Sequence, residues 1–158
     1  MTTTVRKPQE LEPIYDAKTF QPSSSVGYLV QRVRAELLAE MDHELEPFDV
    51  TSAQYIIMAH IAHSMIDTSS DLCKGITYDP GAMTRMIDRL EAKSLVRRVR
   101  DTKDRRAVKL ELTEEGKAVF PRMRVKVLCV LNHMLRDFTK TEARQLESLL
   151  QRMLINLS

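Results

Sequence analysis

The 158-residue sequence contains no apolar run approaching the roughly 18 residues that a membrane span requires, so no spanning segment is expected. Its first ten residues, MTTTVRKPQE, lack the apolar stretch of a secretory signal, which argues against export and for a cytoplasmic protein. Only two cysteines occur, Cys73 and Cys129, far apart and in no metal or redox spacing. That pattern fits a reducing compartment and excludes a disulfide scaffold. Four glycines form no phosphate-cradling loop, and neither a nucleophile motif nor an inward-facing pair of carboxylates is present. The chain is therefore not expected to be an enzyme, and no cofactor is implied.

What is present is a globular composition, 43% apolar and 29% charged, in a chain of one domain's length. Net charge is only +2, yet its distribution is uneven. Between Arg85 and Arg106 stand nine bases against four acids, a local excess of +5 that leaves the rest of the chain at −3. A positive field gathered in one segment attracts a polyanion even when the whole protein is nearly neutral. The plain alternative is a solvated basic face.

Apolar periodicity and caps divide the chain. Residues 1–24, with Pro8, Pro13 and Pro22, read as an extended arm. From Ser25, Val26, Leu29, Val30, Val33, Leu37 and Met41 recur at the helical period, giving a helix over about 25–45 that ends before Pro47. Thr51 with Gln54 forms a capping box for a second helix, and Ser69 or Ser70 caps a short third one at DLCKG, stopped by Gly75. Over 80–93, Met83, Met86, Ile87 and Leu90 fall on one side of a helix, with Gly81, Thr84, Arg85 and Asp88 nearly opposite. Val96–Arg100 and Val108–Leu112 flank the polar segment DTKDRRA as an antiparallel hairpin. Thr113 caps a long helix through Val119, Val125, Leu128 and Leu131, in which Pro121 is expected to produce a kink or an angled first turn. Thr139 with Glu142 opens a last helix.

Helices followed by a two-stranded ribbon, in this order, predict a mainly α fold with a small β-hairpin: a winged helix-turn-helix lobe at about 51–112 between long helices at about 25–45 and 113–157. Residues 25–158 then form a single domain. The helix at 80–93 is the one expected to enter a major groove, while a hairpin tip bearing Lys103, Arg105 and Arg106 reaches the neighbouring minor groove or its phosphates. Asp101 and Asp104 suit the task of orienting those guanidinium groups. Arg85 is the first choice for reading a guanine, with Thr84, Asp88 and Arg89 beside it, Ala82 placed to meet a thymine methyl, and the Gly81 backbone near a phosphate. Asp88 alternatively braces Arg85 or a wing arginine. The last helix is apolar on more than one stripe, more than one small domain buries, so a symmetric homodimer is expected.

The segment DRRAVKLELTEEG, residues 104–116, resembles the wing motif of the MarR family of bacterial transcription regulators, D-x-R-(A/S)-x5-L-T-x-x-G, with Asp104, Arg106, Leu112, Thr113 and Gly116 in place. GAMTRMIDRLEAKSLVRRVRDTKDRR is similar to the recognition helix and wing of the same family, with one departure: Ser94 stands where the family usually has glycine. The resemblance covers about residues 25–157. It implies an obligate homodimer with interlocked first, fifth and last helices, repression by occupying a palindromic operator in double-stranded DNA, and release by a small aromatic or phenolic acid. By the same resemblance Tyr28, Arg32, Tyr55, Met58 and His63 are candidates to line the ligand cleft, although Tyr28 and Tyr55 equally suit a core or interface, and Arg32 a pairing with Glu36.

Other readings remain beside this one. His60 and His63, with His43 or Cys73, have a spacing that suits a metal ion but lack a nearby acid and a fourth ligand, so no metal site is assigned. A redox-responsive regulator would act through Cys73, whereas Cys129 on its apolar helix reads as buried. A winged-helix protein-interaction or RNA-binding module is the contrasting function class, and it would not need the basic outward face.

Overall fold

The computed structural model describes residues 12–63, 79–100 and 108–157 of the chain. Its elements are α1 (Val26–Leu45), α2 (Ser52–Ala62), α3 (Pro80–Ala92), β1 (Val96–Arg100), β2 (Val108–Leu112), α4 (Glu114–Met134) and α5 (Lys140–Leu157), with 3-10 turns at Pro22–Ser24 and Glu46–Phe48. The fold is mainly α with one two-stranded antiparallel ribbon, as the sequence pattern predicts. The expected short helix at 71–75 lies outside the described residues.

Each helix starts where a side chain can satisfy backbone N–H groups that lack an intrahelical partner. Thr51 and Gln54 form the predicted reciprocal box at α2, with the Gln54 N–H donating to Thr51 Oγ1 at 3.3 Å and the Thr51 N–H to Gln54 Oε1 at 3.1 Å. Thr139 and Glu142 do the same at α5 (2.8 and 3.2 Å), and those hydrogen bonds hold the Glu142 carboxyl below its usual pKa. Thr113 accepts from the Gly116 N–H at 3.0 Å and starts α4. That helix runs from Glu114 to Met134 without a break. Pro121, where a kink or an angled first turn is expected, lies inside this continuous span and is exposed, so water can serve the Lys117 carbonyl left without its usual donor.

The chain divides into two compact units, one ending at Ala35 and the other beginning at Glu36, so the boundary falls inside α1. In the first, Tyr15 and Phe20 meet edge to face at 5.4 Å, and the Tyr15 hydroxyl accepts from the Val26 N–H at 2.8 Å, tying the arm to the start of α1. In the second, Met41 and Leu45 of α1, Ile57 and Met58 of α2, Met83, Ile87 and Leu90 of α3, Val96 and Leu110 of the ribbon, and Phe120, Met123 and Val127 of α4 form one buried cluster. Lys126 on α4 is bonded to Glu44 on α1 at 2.8 Å.

The ribbon registers Val96 with Leu112 and Arg98 with Leu110. Its base is a crowded junction. The Leu95 carbonyl accepts from the Thr113 N–H at 3.1 Å, the Thr113 hydroxyl donates to the Ser94 carbonyl, and Gly116 packs so close that a β carbon there would stand 2.0 Å from the Leu95 oxygen. Glycine at 116 is therefore a steric requirement. Ser94 ends α3 in the left-handed region (φ 57°), with its N–H on Glu91 O (2.8 Å) and the Leu95 N–H on Leu90 O (3.0 Å), the Schellman arrangement. Ser94, where the resemblance leads one to expect glycine, thus takes the left-handed conformation that costs a side chain some strain.

Two opposite stability changes are expected in urea denaturation at fixed protein concentration. Gly116→Ala forces the Leu95 carbonyl away and should cost about 3 kcal/mol. Ser94→Gly relieves the left-handed strain and, after the entropy of a freer unfolded chain, should gain roughly 0.5–1 kcal/mol. A neutral Gly116→Ala would refute the steric account of this junction.

Candidate nucleic-acid interface

The recognition helix of the sequence analysis is α3, and it is set by an Asp-Pro pair. The Asp79 carboxylate accepts from the Ala82 N–H at 2.9 Å as the N-cap, and Pro80 occupies the first turn, where its missing N–H costs nothing. The helix buries Met83, Ile87 and Leu90 and exposes Gly81, Thr84, Arg85, Asp88 and Arg89, with Ala82 half-buried. Asp79 Oδ1 and an Arg85 Nη1 both lie within 3.4 Å of where a Gly81 β carbon would stand, so the guanidinium folds over the helix N-terminus. Thr84 is partly committed already, donating its hydroxyl to the Pro80 carbonyl at 2.8 Å. Lys93, after the last turn, pairs with Asp49 at 2.9 Å and also donates to the Asp49 carbonyl, fixing the far end of the helix against the turn before α2.

Asp88 faces outward but is not free. Its Oδ1 accepts from Nη2 of Arg98 on β1 at 2.7 Å, and Glu91 takes the other arm of the same guanidinium. The bond to Asp88 raises the Arg98 pKa further above its ordinary value, against the desolvation that lowers it. Arg97, on the other side of β1, pairs across the ribbon with Glu111 at 2.8 Å. With Lys93, three basic residues of the positive segment are thereby paired, and on α3 Arg85 and Arg89 make no ion pair with a described residue. Lys103, Asp104, Arg105 and Arg106 lie outside the described residues, as does Cys73.

A groove of about 690 Å³ opens between the end of α2, strand β2 and the first turns of α4. Ile61, Leu110, Leu112 and Phe120 give it an apolar floor, and His63, Lys109, Lys117 and Arg124 a basic rim, with Glu111 as the acid. Of the five residues expected at a ligand cleft, His63 lines this groove. Tyr55 lies beneath it, stacked on Phe120 at 5.6 Å, and burial pushes its phenol pKa up while Arg124 opposes the shift. Met58 is fully buried in the core and offers no surface to a ligand here. Tyr28 and Arg32 belong to the first unit, where an Arg32 Nη1 lies 3.5 Å from the Tyr28 hydroxyl. The helical period that selected Tyr55 and Met58 cannot distinguish a groove wall from the core behind it. Lys117 and Arg124 stand two turns apart on α4 and Lys109 on β2, and no sequence spacing relates the strand residue to the helix pair.

One expectation needs correcting outright: Cys129 is exposed, on the side of α4 that also exposes Val125 and Leu128. Among the described residues no three His, Cys, Asp or Glu side chains are grouped to hold a metal ion, and no helix is long and apolar enough to cross a membrane.

Residues 50–108 match the MarR family profile. The chain is 32% identical over 130 residues to the multiple antibiotic resistance protein MarR of Escherichia coli, covering 82% of this chain and 90% of that one. It is 31% identical to the HTH-type transcriptional repressor MdtR of Bacillus subtilis, over 77% and 76% of the two chains. Among solved structures, a variant of E. coli MarR complexed with operator DNA superposes with a TM-score of 0.74 at 31% identity, covering 82% of this chain and 93% of that one.

Proposed function

The chain belongs to the MarR family of DNA-binding transcription regulators, and from that premise we propose that it is a cytoplasmic homodimeric repressor of a palindromic operator, released by a small aromatic or phenolic acid. The observation that carries this reading is the outward face of α3, where Gly81, Thr84, Arg85 and Arg89 stand exposed beside an antiparallel ribbon. Arg85 reads a guanine edge, a contact worth about 1–3 kcal/mol of discrimination. Ala82 meets a thymine methyl, and Lys103, Arg105 and Arg106 at the wing tip, aligned by Asp104, neutralise phosphates without regard to sequence.

A second copy is required on energetic grounds. Helix α5 has no buried residue, and Leu149, Leu154, Ile155 and Leu157 are 49, 68, 72 and 83% exposed. An 18-residue helix without tertiary burial is only marginally stable in water. Val125 and Leu128 of α4, and Val26, Leu29, Val30 and Val33 of α1, are also exposed. Self-association is the commonest way to cover such surfaces, and a two-fold axis turns one recognition helix into two, about 34–36 Å apart. The effector reading draws its support from the groove beside β2, whose apolar floor and basic rim suit an anionic aromatic ligand and whose size is ordinary for a small molecule. His63, with Tyr55 beneath it, belongs to that groove; Tyr28, Arg32 and Met58 are the family-derived candidates without such support.

Selection of bound duplexes from random DNA, with and without a panel of benzoic and phenolic acids, tests the whole proposal. An inverted repeat should emerge, and one class of acid should lower its occupancy. Equal affinity for random and symmetric duplexes would refute sequence-specific repression. On the selected duplex, Arg106→Ala should weaken binding to every sequence and reduce the salt slope by about 1, whereas Arg85→Ala should chiefly relax base preference.

A further inference from the structure

The apolar seam between α3 and the ribbon stops at the base of the hairpin. Val96 is buried in the same cluster as Leu90, but the strand continues outward to Arg100, the last described residue before the hairpin tip. On the same side as Val96, two residues and about 6.6 Å further out, stands Arg98. It is bound three times to the helix: its backbone N–H donates to Glu91 Oε1 at 3.0 Å, its Nη2 to Asp88 Oδ1 at 2.7 Å, and its Nη1 to Glu91 Oε2. Asp88 and Glu91 are one turn apart on α3, so two successive turns hold one guanidinium, and a strand-edge N–H is satisfied by the helix as well. Arg97, the neighbouring cation, pairs instead across the ribbon with Glu111. Among the described residues, Arg98 makes the only ion pairs between α3 and the hairpin.

A guanidinium is suited to this position. Its planar fork can engage two carboxylates at fixed angles, which a flexible ammonium cannot do. The three bonds extend the rigid part of the ribbon beyond its apolar root towards the tip, where the DNA contacts assigned to the wing are made. Two contacts on a rigid body share one loss of rotational freedom, whereas a loosely hinged second contact must be ordered separately.

We infer that Arg98 is a positioning residue which, by gripping Asp88 and Glu91, makes the recognition helix and the wing one rigid reading head, so that the wing arginines engage the DNA backbone already aligned when the helix enters the groove. The inference rests on the DNA-binding role proposed above for the wing tip. Arg98 itself contacts neither base nor phosphate.

The test is a pair of double-mutant cycles on the duplex selected by the wild-type protein, read as affinity over a range of salt. In the wild-type background Arg106→Ala is expected to cost about tenfold. In Arg98→Ala the same change should cost about twofold or less, because an unaligned wing contributes little that can be lost. The double variant Asp88→Asn with Glu91→Gln opens the clamp from the helix side while keeping the Arg98 charge. It should show the same diminished cost, and it carries the test if Arg98→Ala does not fold. Both loosenings should flatten the salt slope towards that of Arg106→Ala itself, a loss of up to about 1, because the wing's phosphate contact is then largely unmade. The inference is overturned if Arg106→Ala costs the same in all three backgrounds, or if Arg98→Ala flattens the slope while the carboxylate variant binds like wild type. The wild-type control separates the two proposals: failure to prefer any duplex strikes the DNA-binding reading, while preference with additive costs strikes the clamp alone.

Discussion

The arrangement depends on a close approach of backbone to backbone at the root of the ribbon. The Leu95 carbonyl is shared by the Thr113 N–H and the Cα of Gly116, so three segments meet in the space of a few atoms: the turn leaving α3, the end of β2 and the first turn of α4. Any β carbon at 116 would occupy the space of that oxygen. The Thr-x-x-Gly spacing thus has a physical origin. Threonine caps α4 and reaches back to Ser94, and glycine three residues later lets the helix start against the strand instead of beside it. From this junction α3 and the ribbon project as a unit, and α4 departs with Phe120, Met123 and Val127 turned into the common core.

Electrostatics then refine what packing has placed. The basic segment looks like an undifferentiated attraction for polyanions, but its cations have separate duties. Arg97 is occupied by Glu111 within the ribbon, Arg98 by Asp88 and Glu91, and Lys93 by Asp49. Structural ion pairs hold the basic framework, and the charges left over on the recognition helix, Arg85 and Arg89, stand on its outward face. Exposed pairs of this kind add little stability individually. Their value here is geometric, since a fork held by two carboxylates fixes an angle that a single exposed pair would not.

Much of this was legible from residue order. Helices α2, α4 and α5 start at the threonine caps read in the sequence, the hairpin limits are those of its two β-rich runs, and the two faces of α3 follow from Met83, Ile87 and Leu90 at helical spacing. Those features are local, and local rules read them. Asp79 also gave a local signal, as an aspartate directly before a helical proline, but the proline alone was used. That Asp88 could brace a wing arginine was one of the alternatives read from the sequence, but which one was not readable: Arg98 is ten residues away across a turn, and only the packed ribbon brings them together. The groove has the same origin, with Lys109, Lys117 and Arg124 assembled by the meeting of β2 and α4. Cys129 was misjudged because an apolar helix face reads as core whether its cover lies in the same chain or in another.

That last ambiguity bears on abundance in the cell. On the homodimer proposed above, a subunit whose last described helix has no fully buried residue, with Leu154 and Ile155 open to solvent, would offer that face to proteases and chaperones until a second copy covers it. Pairing would follow the square of concentration, so clearance of unpaired subunits at low synthesis rates would make the pool of intact regulator fall more steeply than its messenger. On that reading the dosage of the regulator would be set partly by the encounter rate of its own copies, a threshold built into the exposed leucines of α5.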